Sequence, residues 1–164
     1  PSVVLEQISR GMNVEIHNDG GNEAFYRPST DDIHLPLPEF FESDNEYNAT
    51  VFHELGHATG HESRLNREQR GNFGSPDYAK EELVAEITSA FMAETTGISI
   101  EDMNMDNHKA YVNSWIESIK DDPEVLMKAI SQANDAADYM QQFVCEVTFE
   151  QENVTIERDG EMEF

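Results

Sequence analysis

The spacing of apolar residues changes several times along this chain, and each change marks an element. Residues 2–10 carry Val3, Val4, Leu5 and Ile8 and stop at Gly11, which predicts a short helix. Val14 and Ile16 then alternate with Glu15 and His17. The turn-forming run Asn18-Asp19-Gly20-Gly21-Asn22 leads into Ala24-Phe25-Tyr26, and the two apolar stretches predict a β-hairpin. Pro28-Ser29-Thr30-Asp31 forms another turn before a third strand, Ile33-His34-Leu35. Pro36 and Pro38 end that strand and suit a sheet edge. His17 and His34 read as strand residues rather than ligands.

The period then becomes helical. Ser43 with Glu46 three residues on is a capping box. Tyr47, Val51, Leu55 and Ala58 follow at i, i+4, i+8 and i+11 as an apolar stripe, and Gly60 is the expected stop. Arg64 to Gly74 is a polar loop. Ser75-Pro76 starts a second helix, with Leu83, Ile87, Ala90 and Phe91 inward and Gly97 at its end. Residues 98–106 read as a loop. A third helix runs from about Asn107 to Lys120, with Tyr111, Val112, Trp115, Ile116 and Ile119 inward and His108 structural or solvent-facing near its start. Asp122-Pro123 starts a fourth, with Leu126, Ile130, Ala133, Ala137 and Met140 inward. From Phe143 the alternation Phe143, Cys145, Val147, Phe149 predicts a strand or hairpin. Seven acids against one arginine after residue 142 equally suit an acidic tail. The expected fold class is α+β: a small antiparallel or mixed sheet packed on the helix after Ser43, with a helical C-terminal half. The expected division is a domain over 1–142 and an acidic C-terminal segment over 143–164.

That central helix carries His53-Glu54-Leu55-Gly56-His57, the pattern H-E-x-x-H. Residues four apart on a helix lie about 40° apart in azimuth, so both imidazoles reach one metal ion. Glu54 between them is placed to act as general base on a bound water. A catalytic zinc site needs a third protein ligand. His61 is one candidate, but its spacing differs from H-E-x-x-H-x-x-G-x-x-H, whose third histidine falls on Ser63. Glu82 is the better one. It shares a helix face with Glu86, beside the small residues Ala79, Ala90 and Ala93, and an inward carboxylate needs a partner. Glu86 is then placed to accept from a ligand histidine. Glu81 points about 100° away and reads as solvated. Tyr78 and His61 stand as oxyanion donors between which spacing does not choose.

Charge narrows the partners. Ten basic residues stand against 34 acidic ones, a net charge of −24. Such a chain repels phosphates and anionic membranes, so no nucleic acid and no membrane are expected as partners; the H-E-x-x-H pattern points to a protein or peptide substrate. The acidity also allows a non-catalytic mimic of DNA that occupies a nuclease. The single cysteine, Cys145, permits no internal disulfide and fits a reducing cytoplasm. No signal peptide or long apolar run is visible. The start at Pro1, without Met, suggests a fragment or a processed form.

The order strand, H-E-x-x-H helix, then E-x-x-A-E helix resembles zincins of the gluzincin type. A closer resemblance is to the metallopeptidase domain of ArdC-type antirestriction and phage or plasmid "polyvalent" proteins. It rests on Ala24–Ser29, Asp32–Pro36, His53–Arg67, Phe73–Ser75, Tyr78, Glu81–Glu86 and Ala136–Tyr139, and covers roughly residues 5–140. The resemblance implies a zincin-like fold, a Zn²⁺ cofactor and a peptidase encoded by a mobile element, acting on host or self proteins. The strand around Ile33-His34-Leu35 is expected to bind substrate backbone, as zincin edge strands do. The single-stranded-DNA-binding part of such proteins has no counterpart in these residues, and the acidic segment after 142 lies outside the pattern.

Overall fold

The structure is a computed structural model. It describes residues 3–19, 21–69, 71–98 and 105–162, with side chains omitted for 105–108 and 145–162. The loop expected over 98–106 falls mostly outside these residues, as do the side chains of His108 and Cys145.

Helix α1, Val3–Met12, is followed by β1, Glu15–Asn18, β2, Phe25–Arg27, and β3, Asp32–Leu35. Then come α2, Asp44–Ala58, α3, Pro76–Thr96, α4, Met105–Ile119, and α5, Pro123–Met162. The sheet is mixed, in the order β1-β3-β2. β1 runs parallel to β3 with His17 opposite His34, and β2 runs antiparallel to β3 with Tyr26 opposite Ile33.

The hairpin is therefore β2–β3 and not the expected β1–β2. The deciding turn is Pro28 to Asp31, where Asp31 takes φ 53° and its N–H bonds to the Arg27 carbonyl at 2.8 Å. The glycine-bearing segment after Asn18 instead crosses over to the far side of β3. Asn18 fixes this crossing by donating to the Pro36 carbonyl at 3.0 Å. β3 is thus the central strand, and its prolines lie beyond Leu35, where no ladder bond is needed. β2 is the edge strand that packs beside α2.

Ile33, Leu35 and Tyr26 point inward, onto Leu5, Ile8, Val51, Phe52, Leu55 and Met140. All four stripe residues of α2 are buried, and Ser43 caps its start by accepting from the Glu46 N–H at 3.1 Å. The helix ends at Ala58, capped by Thr59, so it stops just before Gly60. α3 begins at the expected Ser75-Pro76 and ends on Gly97 in the left-handed conformation, φ 73°. It packs against α2, α4 and α5, so its buried face is wider than the stripe suggested, reaching Val84, Ala85, Thr88 and Met92 while Ala90 is exposed. α4 shows the opposite deviation, since Tyr111 and Ile116 are exposed. On α5, Ala129 is buried where Ile130 was expected.

The backbone from 143 to 162 continues α5 and is not the expected strand or hairpin. Met140, Phe143 and Val144 keep helical spacing and pack on the core. The Phe143 ring occupies the space a Cβ on Gly11 would need, 2.2 Å from that position. Gly11 is consequently inside α1, which runs on to Met12. No helix among the described residues is long and apolar enough to cross a membrane.

Candidate metal centre

The site lies where α2 crosses α3. A Cβ on Gly56 would come within 3.1 Å of the Ala85 Cα, so a larger residue there would push the two helices apart by a few tenths of an ångström. His53 and His57 flank Gly56, and Glu82 and Glu86 flank Ala85. The contact between these two small residues therefore sets the height at which the imidazoles meet the carboxylates.

Glu82 sits between the two histidines. One of its oxygens is 3.1 Å from His53 Nε2 and the other 3.2 Å from His57 Nε2. The remaining ring nitrogens are turned outward to other acids. His53 Nδ1 is 2.8 Å from Glu86, as expected of that residue. His57 Nδ1 is 3.3 Å from Glu81. Glu81 is not solvated; it is 12% exposed. Its carboxylate also accepts from Arg67 at 2.8 and 3.1 Å and from Gln69 at 2.7 Å. Arg67 continues to Thr59 Oγ1 and the Gly56 carbonyl, and Gln69 to the His57 carbonyl. The loop after α2 thus braces the end of the helix that carries His57.

The charges follow from this geometry. Burial alone would lower both imidazole pKa values, but the acids outweigh it. His57 is raised to about 9 by Glu81 and Glu82, and His53 lies well above the ordinary range because of Glu82 and Glu86. Burial would raise the acids, yet His57 and Arg67 bring Glu81 down to about 2, and the two histidines hold Glu82 lower still. Donor atoms of His53, His57 and Glu82 lie within 4.8 Å of one another. Two imidazole nitrogens and a carboxylate, each imidazole anchored through its other nitrogen, form a donor set suited to a divalent cation.

Around the centre is a cleft of about 640 Å³. Glu54, 6% exposed, lines it beside the two histidines, and Phe25 and Tyr26 of the edge strand, with Ala24 just before it, line another side. Burial and Glu82 raise the pKa of Tyr78, which also lines the cleft and so keeps its proton at neutral pH. Trp115 stacks with Tyr111 and lies 6.5 Å from the His53 ring, so both line the cleft; Trp115 also packs on the core as expected, whereas Tyr111 is exposed. His61 is not among the cleft residues. Its Nδ1 closes a turn with Ser63 at 2.7 Å, so neither a ligand nor an oxyanion role follows for it.

Residues 4–132 match the family described as zincin-like metallopeptidase. The chain belongs to this family. It is 43% identical over 149 residues to DNA primase TraC of Escherichia coli, covering 91% of this chain and 10% of that one. It is 38% identical over 137 residues to the uncharacterized protein y4eC of Sinorhizobium fredii, covering 82% and 43%. The Mn(II)-bound crystal structure of the antirestriction protein ArdC from plasmid R388 superposes with a TM-score of 0.72 at 36% identity, over 87% of this chain and 52% of that one. Its metal-free form gives 0.71 at 35% identity, over 89% and 52%. The chain therefore spans about half of ArdC and a much smaller part of TraC. The zincin-like fold and the ArdC resemblance are both met.

Proposed function

We propose that this chain is a zinc-dependent peptidase, with His53, His57 and Glu82 as metal ligands and Glu54 as the general base. The supporting observation is the convergence of two imidazole Nε2 atoms and one carboxylate beside buried Glu54, in a cleft bordered by an edge strand. Bound zinc supplies Lewis acidity toward a carbonyl and brings the pKa of a water to about 7. Glu54 takes the proton of the attacking water and passes it to the leaving amine. Glu86 and Glu81 hold the imidazoles in the tautomer that leaves each Nε2 lone pair available. Tyr78, protonated at neutral pH, donates to the developing oxyanion.

The substrate is an extended protein segment that adds to β2, the strand that borders the cleft, through its main chain. This moves the substrate edge from the expected β3, which is paired on both sides. The plasmid origin of ArdC supports a cytoplasmic role on a mobile element, with host or self proteins as substrates. The test is incubation of the zinc-loaded protein with a proteome-derived peptide mixture and mass spectrometry of new termini. Cleavage that chelator abolishes and zinc restores is the expected result. Absence of new termini at high enzyme concentration contradicts the proposal.

A further inference from the structure

We propose that Tyr111 and Trp115 of α4 select substrates with a positively charged side chain, arginine above all, beside the bond to be cut. The preference rests on the peptidase reading above. Among the described residues that line the cleft, Glu54, Asp77, Glu81, Glu82 and Glu86 are carboxylates and none is Lys or Arg. Arg67, which is not part of that lining, pairs with Glu81 at 2.8 Å. A zinc ion brings two positive charges, and Glu54, Asp77, Glu82 and Glu86 outnumber them. Asp77 is exposed in the first turn of α3, next to Tyr78. The metal-loaded cleft is therefore still negative, and the chain's net charge of −24 reinforces that sign.

An acidic cleft attracts any cation, and the aromatic wall chooses among them. The Trp115 ring is 6.5 Å from that of His53 at 31°, and 6.0 Å from that of Tyr111 at 25°. Near-parallel rings thus lead away from a metal ligand, and Tyr111 is 64% exposed. Residues four apart share one helix face, so the two rings form a continuous strip. Phe25, across the cleft, is already engaged: His34 stacks on it at 5.0 Å and Arg27 Cζ lies 5.2 Å from its ring centre. Tyr111 and Trp115 are left to receive a ligand. A planar guanidinium stacks on such rings while its carbon stem covers apolar surface. The lysine ammonium is more strongly hydrated and gains less. A leucine side chain gains from the rings and nothing from the carboxylates. An acidic side chain is repelled.

Trp115 is the chain's single tryptophan, so its fluorescence reports on this wall directly. The probes are the peptides Gly-Gly-X-Gly-Gly, with arginine, citrulline or leucine at X. They are titrated into the zinc-loaded Glu54→Gln chain, so that they stay whole. The arginine peptide is expected to bind about 10-fold more tightly than the citrulline peptide, its neutral near-isostere. Tyr111→Phe should keep that ratio. Tyr111→Leu, which retains apolar bulk without a π face, should reduce it to about 2-fold or less. Equal binding of arginine and citrulline, a ratio that survives Tyr111→Leu, or no saturable binding of the arginine peptide overturns the proposal. Tighter binding of the leucine peptide also overturns it and makes the wall an apolar pocket. Hydrolysis is read separately. A wild-type chain that cleaves nothing while the ratio holds contradicts the peptidase reading and leaves the cation preference standing. Cleavage with no Arg or Lys beside the new termini overturns the preference and leaves the peptidase reading intact.

Discussion

Glu81 approaches His57 Nδ1 at 3.3 Å just as Glu86 approaches His53 Nδ1 at 2.8 Å. Each histidine of the H-E-x-x-H helix thus has its own orienting carboxylate, and Glu82 is left to face both Nε2 atoms. Loss of such an orienting group typically lowers metal affinity about 10–100-fold. Glu81→Gln is expected to weaken zinc binding by that amount, and Glu82→Gln by more, in competition with a chromogenic chelator. Wild-type affinity in Glu81→Gln would show that Glu81 serves only to pair Arg67.

The metal-free centre holds protons where the metal belongs. His57, with a pKa of about 9, and His53, also raised, are protonated at pH 7, while Glu82 is already a carboxylate. Zinc binds neutral imidazole, so uptake at pH 7 is expected to release close to two protons. Apparent affinity should climb as pH rises toward 9 and fall as pH drops. In the metal-free protein the sign for stability is opposite. Groups with a raised folded pKa stabilise fully below about 6.5, and this contribution is lost as pH rises through about 9. Calorimetry in buffers of different ionisation enthalpy measures the released protons; fewer than about half a proton per zinc contradicts the proposed ligand state.

Arg64 ties three elements together from a nearly buried position, its side chain 3% exposed. It donates to the Met12 carbonyl at the end of α1, to the Ala58 carbonyl at the end of α2, and twice to Asp31 in the β2–β3 turn. Arg64→Ala leaves these acceptors unpaired and is expected to cost about 3 kcal/mol, or about 10 °C in Tm for a chain of this size. Arg64→Lys should recover only part of this, because one ammonium cannot span the same acceptors. A melting shift below about 2 °C for Arg64→Ala contradicts the clamp.

The sequence revealed the α2 stripe, the caps at Ser43 and Ser75, and the outward turn of His53 and His57, because these are local and periodic. Glu82 and Glu86 were legible from helix azimuth. Glu81 was not, because its partners Arg67 and Gln69 arrive from a loop whose path no periodicity encodes. The need was still countable: the two histidines have two further ring nitrogens, and α3 carries three glutamates within six residues, Glu81, Glu82 and Glu86. The strand pairing was misread because turn residues occur both after Asn18 and at Pro28, and only the left-handed Asp31 closes a hairpin. The period-two run after Phe143 misled because Phe143 and Val144 also fit the helical phase set from Met140.

The most direct measurement is peptide hydrolysis by Glu54→Gln. The amide is nearly isosteric, so zinc content and fold should match wild type. It accepts no proton near neutral pH, and loss of a general base typically costs about 10²–10⁴-fold in rate. A fall of that size with zinc retained is the predicted result. The substitution removes a single charge from a net of −24, so inhibition of a nuclease by acidic mimicry would survive it. Cleavage at the wild-type rate by the zinc-loaded variant contradicts the account.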